Sequence, residues 1–233
     1  MLQEILDLTA ARLGKDLKDQ PEVEAELRST IGNVYLELGL FIKAEGMHRE
    51  SLVIRKKHFG EEHSLAASSM DDLAEALWRL GRNVEAAAMN RGALAVRKKL
   101  FGADHPDVAS SLDNVGSAIG RSGAFAEAEM MLREALAMRK KHLGEEHLLV
   151  AATLRNLGTQ LQAQGFSGEI RTDFSTRLTL STDNSIYQKI PAAVLFPKTH
   201  EDIAKLLPIR AELGYLGTHR DIPPQGRRQD RQG

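Results

Sequence analysis

Arg55-Lys56-Lys57-His58-Phe59-Gly60-Glu61-Glu62-His63 is the stretch that decides the fold, because the chain repeats it. Its counterparts begin at Arg97 and Arg139 and end at His105 and His147, a spacing of 42 residues both times. A fixed period in the range of about 20–50 residues points to a stacked array of one supersecondary unit, whatever the individual side chains do. The period extends outward from that run. Gly39, Gly81, Gly123 and Gly165 keep it, as do Ala44, Ala86 and Ala128, and the leucines Leu52, Leu94 and Leu136. A fourth unit starts at Leu154-Arg155-Asn156-Leu157-Gly158 and stops after Gly165. The beat calls for another Arg-Lys-Lys at 181–183, where the chain supplies Ser181, Thr182 and Asp183. A segment of different logic is therefore expected from residue 166.

Each unit reads as two helices. In the second unit, Leu65, Met70, Leu73, Ala74, Leu77 and Leu80 follow the 3.6-residue period and predict helix A over about Ser64–Leu80. Gly81 is placed to end it in the left-handed conformation. Ala86, Ala87, Met89, Ala93, Leu94, Val96 and Leu100 predict helix B over about Val84–Leu100, ended by Gly102. Pro106 follows Asp104-His105 as a start signal for the next helix A. Gly32, Ala74, Gly116 and Gly158 hold one position of helix A. Glycine inside a helix costs about 0.5–1 kcal/mol against alanine, so its recurrence implies that helices A and B approach closely there. Ahead of the repeats, Leu2, Ile5, Leu6, Leu8, Ala11, Leu13 and Leu17 predict a helix ending near Asp19, which serves as a cap or linker. Pro21 then suits the first turn of the next helix, with Glu22, Glu24 and Glu26 at its positive end.

Composition narrows the functional classes. The 233 residues carry 31 basic and 32 acidic side chains, so no basic surface for nucleic acid is expected. There is no cysteine, which excludes disulfides, thiolate metal sites and a Cys nucleophile. No apolar run reaches the ~20 residues of a membrane span. The expectation is a cytoplasmic protein that binds neither membrane nor nucleic acid.

At this point the chain resembles a known family. Leu73-Ala74, Leu77, Gly81, Ala86, Ala93-Leu94 and Asp104-His105-Pro106 look like a tetratricopeptide repeat. The 42-residue period and the Arg-Lys-Lys…Gly…His-Pro ending resemble the kinesin-light-chain variety. The resemblance covers about residues 20–165, with departures at Asn83, Ser64 and Leu148. It implies an all-α fold, a right-handed α-solenoid of about three and a half helix pairs, acting as a scaffold or adaptor for a protein or peptide ligand.

In that register, one face of the A helices lines the groove. The expected partner-binding residues are Asn33, Leu36 and Glu37 in unit one, and Asp71, Glu75, Trp78 and Arg79 in unit two. Asp113, Ser117 and Arg121 follow in unit three, and Arg155, Thr159 and Gln162 in unit four. Trp78, the single tryptophan, has two readings: a groove anchor, or packing against the neighbouring repeat. His63, His105 and His147 are expected to cap or brace the turn before helix A, because equivalent positions of a stack lie too far apart to share a metal. The Arg-Lys-Lys triplets are expected to be solvated helix ends balanced by Glu61-Glu62, Asp104 and Glu145-Glu146.

The remainder reads as a short, incomplete α+β segment over about 166–213, then a tail (214–233) too poor in apolar residues to be expected to order. Pro191 opens Ala192–Phe196, a strand candidate. Thr199 and Asp202 imitate a capping box, and Glu201–Leu213 suits a helix that Pro208 would bend. Gly168-Glu169-Ile170-Arg171, Thr182–Tyr187, Pro191–Pro197 and Asp202-Ile203 resemble the start of bacterial FAD-linked oxidases of the D-lactate dehydrogenase and glycolate oxidase type. That resemblance implies, as the alternative function, an FAD-binding oxidoreductase fragment. The glycine-rich turn expected for FAD is replaced by Pro223–Gly233, and the substrate domain is missing, so inactivity is expected. No catalytic residue, metal or resident cofactor is assigned. Helix A of unit four has no helix B after it, so its inner face is expected to stay exposed unless 200–213 fold back, and to offer a route to self-association.

Overall fold

A computed structural model describes residues 2–165, 167, 169–171, 194–199, 201–202 and 204. Within them the order is α1 (Leu2–Asp16), α2 (Pro21–Glu37), α3 (Phe41–Phe59), α4 (Ser64–Arg79), α5 (Asn83–Phe101), α6 (Pro106–Arg121), α7 (Phe125–Leu143), α8 (Leu148–Ala163), β1 (Glu169–Arg171) and β2 (Val194–Phe196). The pairs α2–α3, α4–α5 and α6–α7 are the three complete units, and each helix packs on the next in sequence, as in an α-solenoid.

Two kinds of glycine punctuate each unit. Gly81, at φ 76°, ends α4 in a Schellman turn, in which the Arg82 amide donates to the Leu77 carbonyl at 2.9 Å. Leu40 to Tyr35 and Ala124 to Ile119 repeat that bond. Gly102 ends α5 differently, at φ 81° and ψ 176°, a region almost closed to side chains, and it sends the backbone straight into the loop. The loop ends at His105, whose Nδ1 accepts from the Asp107 amide at 3.1 Å as the N-cap of α6. His63 and His147 cap α4 and α8 in the same way. The histidines are caps, as their position in the repeat predicts. The Phe59 and Phe101 rings stack on the first two at 4.6 and 4.5 Å.

The core is a row of small clusters, each bridging neighbouring helices. Leu52 of α3 joins Ala66, Met70, Leu73 and Leu77 of α4 and Ala86 and Ala93 of α5. One step on, Ala87 of α5 joins Val115, Ala118 and Ile119 of α6 and Ala128 of α7. Gly116 allows the close approach: a Cβ there would lie 2.7 Å from Leu132 Cγ and 3.0 Å from the Ala128 carbonyl oxygen. Two expected inward residues are not inward. Leu65 and Leu100 are exposed, because one lies in the first turn after a cap and the other in the last turn before Gly102.

At the N-terminal end, Leu6, Ala10 and Leu13 form the inner stripe of α1 and, with Leu17 just beyond it, seat the helix on Ile31, Tyr35 and Ala44. Asp7 accepts from Tyr35 Oη at 2.7 Å and pairs with Lys43 at 2.6 Å. The N-terminal helix is thus packed on unit one. At the other end the expectation of an exposed inner face fails. Leu157 and Leu161 of α8 are buried, and β1 lies against the helix. The apolar residues α8 does expose, Leu148 and Leu149, are in its first turn.

β1 and β2 pair antiparallel, with Ile170 opposite Leu195. Asp202 closes this piece. Its carboxylate accepts from the Ser167 amide (2.7 Å) and hydroxyl (2.8 Å) and from the Lys198 and Thr199 amides (both 3.0 Å). Thr199 Oγ1 accepts in return from the Asp202 amide at 3.0 Å, which makes the expected capping box. Burial raises the Asp202 pKa, and the four donated bonds outweigh it, leaving the carboxyl well below its ordinary range. The expected helix beyond residue 204 and the tail 214–233 lie outside the described residues.

Candidate functional site

The arginine of each Arg-Lys-Lys triplet is not a solvated helix end. Arg55 and Arg139 are buried at 5 % exposure each, and Arg97 is largely buried, whereas Lys57, Lys99 and Lys141 are exposed. Each arginine is a latch from helix B to the A helices on either side. Arg97 pairs with Asp71 of its own unit (2.5 Å) and donates to Ser111 of the next (2.5 Å). Arg139 pairs with Asp113 (3.1 Å) and donates to Thr153 (2.5 Å) and the Leu149 carbonyl (3.1 Å). Arg55 pairs with Glu26 (2.5 Å) and donates to Ser69 (2.9 Å). Ser69, Ser111 and Thr153 are 42 residues apart. A guanidinium offers five donors in a fixed fork, which suits three helices meeting at one point.

These latches take two residues out of the expected groove. Asp71 and Asp113 point between the helices, and Asp113 is buried at 7 % exposure. Burial raises both carboxyl pKa values, opposed by Arg97 in one case and Arg139 in the other. They are partners of the latches. Sequence register alone gave no sign of this, since the latch arginines stand 26 residues further on.

The other expected residues stay near the surface of the A helices. Asn33, Glu37, Arg79, Arg121, Arg155, Thr159 and Gln162 are exposed, and Leu36, Glu75, Trp78 and Ser117 are half-buried. Leu36 packs into the cluster under α1. The Thr159 hydroxyl is spent on its own helix, donating to the Arg155 carbonyl at 3.1 Å. Trp78 brings the centre of the face together. One side of the indole packs on the unit-two core. The Arg79 guanidinium lies 4.6 Å from its ring centroid, and the Arg121 guanidinium of the next unit lies 4.0 Å away. Both readings of Trp78 therefore hold in part. Arg79 is satisfied by Glu75 at 2.8 Å. Arg121 has no carboxylate within ion-pair distance among the described residues. Burial lowers its pKa, with Glu75 acting in the other direction.

The register also explains why Arg121 reaches Trp78. The position of Trp78 is Gly120 in unit three, so no side chain stands in the way. Behind that glycine sits Gln160 of α8; a Cβ on residue 120 would come within 2.1 Å of its Oε1. Sequence reading missed Gly120 and Gln160, although a lone glycine in the register of a tryptophan marks such a gap.

No helix among the described residues is long and apolar enough to cross a membrane.

Comparisons with known proteins divide along the same line. In curated sequences, short stretches match D-2-hydroxyglutarate dehydrogenases, and these fit the oxidase-like segment. The identity is 49 % over 55 residues, 24 % of this chain, for Pantoea ananatis. It is 54 % over 46 residues, 20 % of this chain, for Haemophilus influenzae. The chain spans about one twentieth of the length of these relatives. Among solved structures, a putative kinesin light chain of Podosopora anserina with nearly identical TPR-like repeats superposes with a TM-score of 0.60 at 24 % identity. The match covers 70 % of this chain and 76 % of that one. BtubC (BKLC) of P. vanneervenii gives a TM-score of 0.59 at 24 % identity, covering 70 % and 65 %. A tetratricopeptide repeat model matches residues 23–99 and 73–141, together more than half of the chain. With its helix pairs stacked in order, the chain belongs to the tetratricopeptide repeat family.

Proposed function

We propose that the chain is an interaction scaffold whose A-helix face, a concave groove in repeat superhelices, holds a peptide or a segment of a partner protein. The observation that carries this reading is the Trp78 cluster. An indole flanked by two guanidinium groups, one without a carboxylate partner, is a costly surface to leave in water and a good one to bury under a ligand. Arg155 and Gln162 extend the surface towards α8, and Asn33 and Glu37 extend it towards α1.

Selection of a displayed random-peptide library on the immobilised full chain tests this. Enriched peptides are expected to lose at least about tenfold in affinity on Trp78→Ala and on Arg121→Ala, a loss of about 1.4 kcal/mol, with circular dichroism unchanged. Peptides that bind both variants as well as the parent would place the ligand elsewhere.

A second reading, an FAD-binding oxidoreductase fragment, is favoured by the dehydrogenase matches alone. It predicts flavin absorbance in the visible on protein purified with FAD. A colourless preparation leaves the scaffold reading standing by itself.

A further inference from the structure

His48, on α3, is fully buried, and neither of its ring nitrogens has a hydrogen-bond partner. Its ring is pressed on Gly32 of α2, where an added Cβ would lie 2.6 Å from Cε1. The repeat supplies its own controls for this position. Unit two places Asn90 there, opposite Ala74, and Asn90 donates to the Asn114 carbonyl at 3.3 Å. Unit three places Leu132 there, opposite Gly116, and a leucine needs no partner. Only unit one puts a titratable group in this joint, and it gives that group no acceptor to receive a second N–H.

The neighbouring charges do not supply one. From α4, Asp72 acts on the ring at a distance while its carboxylate is engaged by the Ser29 hydroxyl at 2.9 Å. From α3 itself, Arg55 opposes protonation and is held by Glu26 and Ser69. From α2, the residue against the ring is the uncharged Gly32. Burial lowers the His48 pKa, Asp72 recovers part of that, and Arg55 lowers it further.

We propose that His48 is an acid-sensitive lock on the N-terminal unit, neutral and closed at physiological pH, which opens α2 from α3 when the imidazole takes up a proton. The sign follows from linkage. The folded pKa lies below the ordinary histidine value of about 6.5, so the unfolded chain binds the proton more readily. The contribution of the closed joint is complete above that ordinary value and is lost as pH falls through the lowered one. In a repeat array each unit leans only on its neighbours, so the end unit opens while units two and three stay folded. Opening would unseat α1 from Tyr35 and remove Asn33, Leu36 and Glu37 from the A-helix face, shortening it to the part around Trp78. The lock operates whatever that face binds.

Hydrogen exchange on the full chain at pH 7.5 and pH 5.0, corrected for the intrinsic rate, tests the proposal. Peptides from α2 and α3 are expected to lose about tenfold in protection at pH 5.0, in the direction that linkage gives for a lowered pKa. Peptides from α6 and α7 are expected to change less than about twofold, since Leu132 stands there in place of His48. His48→Leu installs the unit-three solution and is expected to remove the acid response. His48→Asn, the unit-two solution, is the second variant should the leucine not fold. Equal protection of α2–α3 at the two pH values would overturn the lock. So would an acid response that persists in either variant, which would assign it to an exposed pair such as His58–Glu22. An NMR titration of the His48 ring with an ordinary midpoint, in a unit one that stays protected, would overturn it as well.

Discussion

The first and last joints of the array use the same latch in different surroundings. Arg139 joins α7 to α6 and α8, and the side chain of its carboxylate partner, Asp113, is 10 % exposed. Arg55 joins α3 to α2 and α4 at the same register, but its partner, Glu26, is 69 % exposed. Unit one has Ser29 where units two and three have Asp71 and Asp113, so its latch borrows a carboxylate one turn earlier, at the rim. The same joint carries the unpartnered His48. At the C-terminal end, Asn156 of α8 adds a bond to Asp113 of α6 at 2.8 Å. An arginine at identical register is thus a buried clamp at one end and a half-wet tie at the other. The difference lies in what becomes of the charge when the latch is removed.

The largest effect follows directly. Arg139→Ala leaves Asp113 buried without its cation and is expected to cost about 3–5 kcal/mol. Arg55→Ala leaves Glu26 free to rehydrate and costs about 1–2 kcal/mol, chiefly the bond to Ser69 and lost packing. Urea unfolding of the two variants checks the contrast, and equal losses would break it. Next is Gly116→Ala, whose methyl meets a backbone oxygen as well as Leu132; about 1–3 kcal/mol is expected, read as a lowered Tm. His105→Ala removes one cap and one ring stack, for about 1 kcal/mol, seen as faster exchange in the first turn of α6. The smallest is Asp7→Asn at the N-terminal cap. Hydrogen bonds from Lys43 and then Tyr35 hold the Asp7 carboxyl below its ordinary range, and Tyr35 is pushed up to about 12 by burial and by Asp7. The depressed carboxyl means that its contribution is present at neutral pH and is lost as pH falls through the lowered value. The variant is expected to fray α1 in hydrogen exchange with no measurable change in the global transition.

The repeat was legible because it is a local pattern written three times. Gly81 and Gly102 mark different backbone conformations, yet both show in the sequence as punctuation, and the histidine caps follow from their place before helix A. The apolar stripes of α4 and α5 likewise place Leu73, Leu77 and Ala93 inside without any knowledge of neighbours. The candidate site was legible only in part. Trp78, Arg79 and Arg121 could be assigned to one face, but the stacking of Arg121 on Trp78 spans two units and depends on the gap at Gly120. Asp71 and Asp113 shared that face by register and were lost from it to arginines of the neighbouring helix.

By itself the sequence determined the period, the helix ends, the inward stripes and the break after Gly165, since each depends on spacing along one helix or on one backbone conformation. Only the tertiary structure decided which charged residues are inside. A buried ion pair depends on the relative position of two or three helices, and the cost of desolvating Asp113 is met only when Arg139 arrives from the next one. The same holds for His48: its burial comes from Gly32 across the joint, and nothing in the local sequence of α3 shows that its nitrogens have no partner.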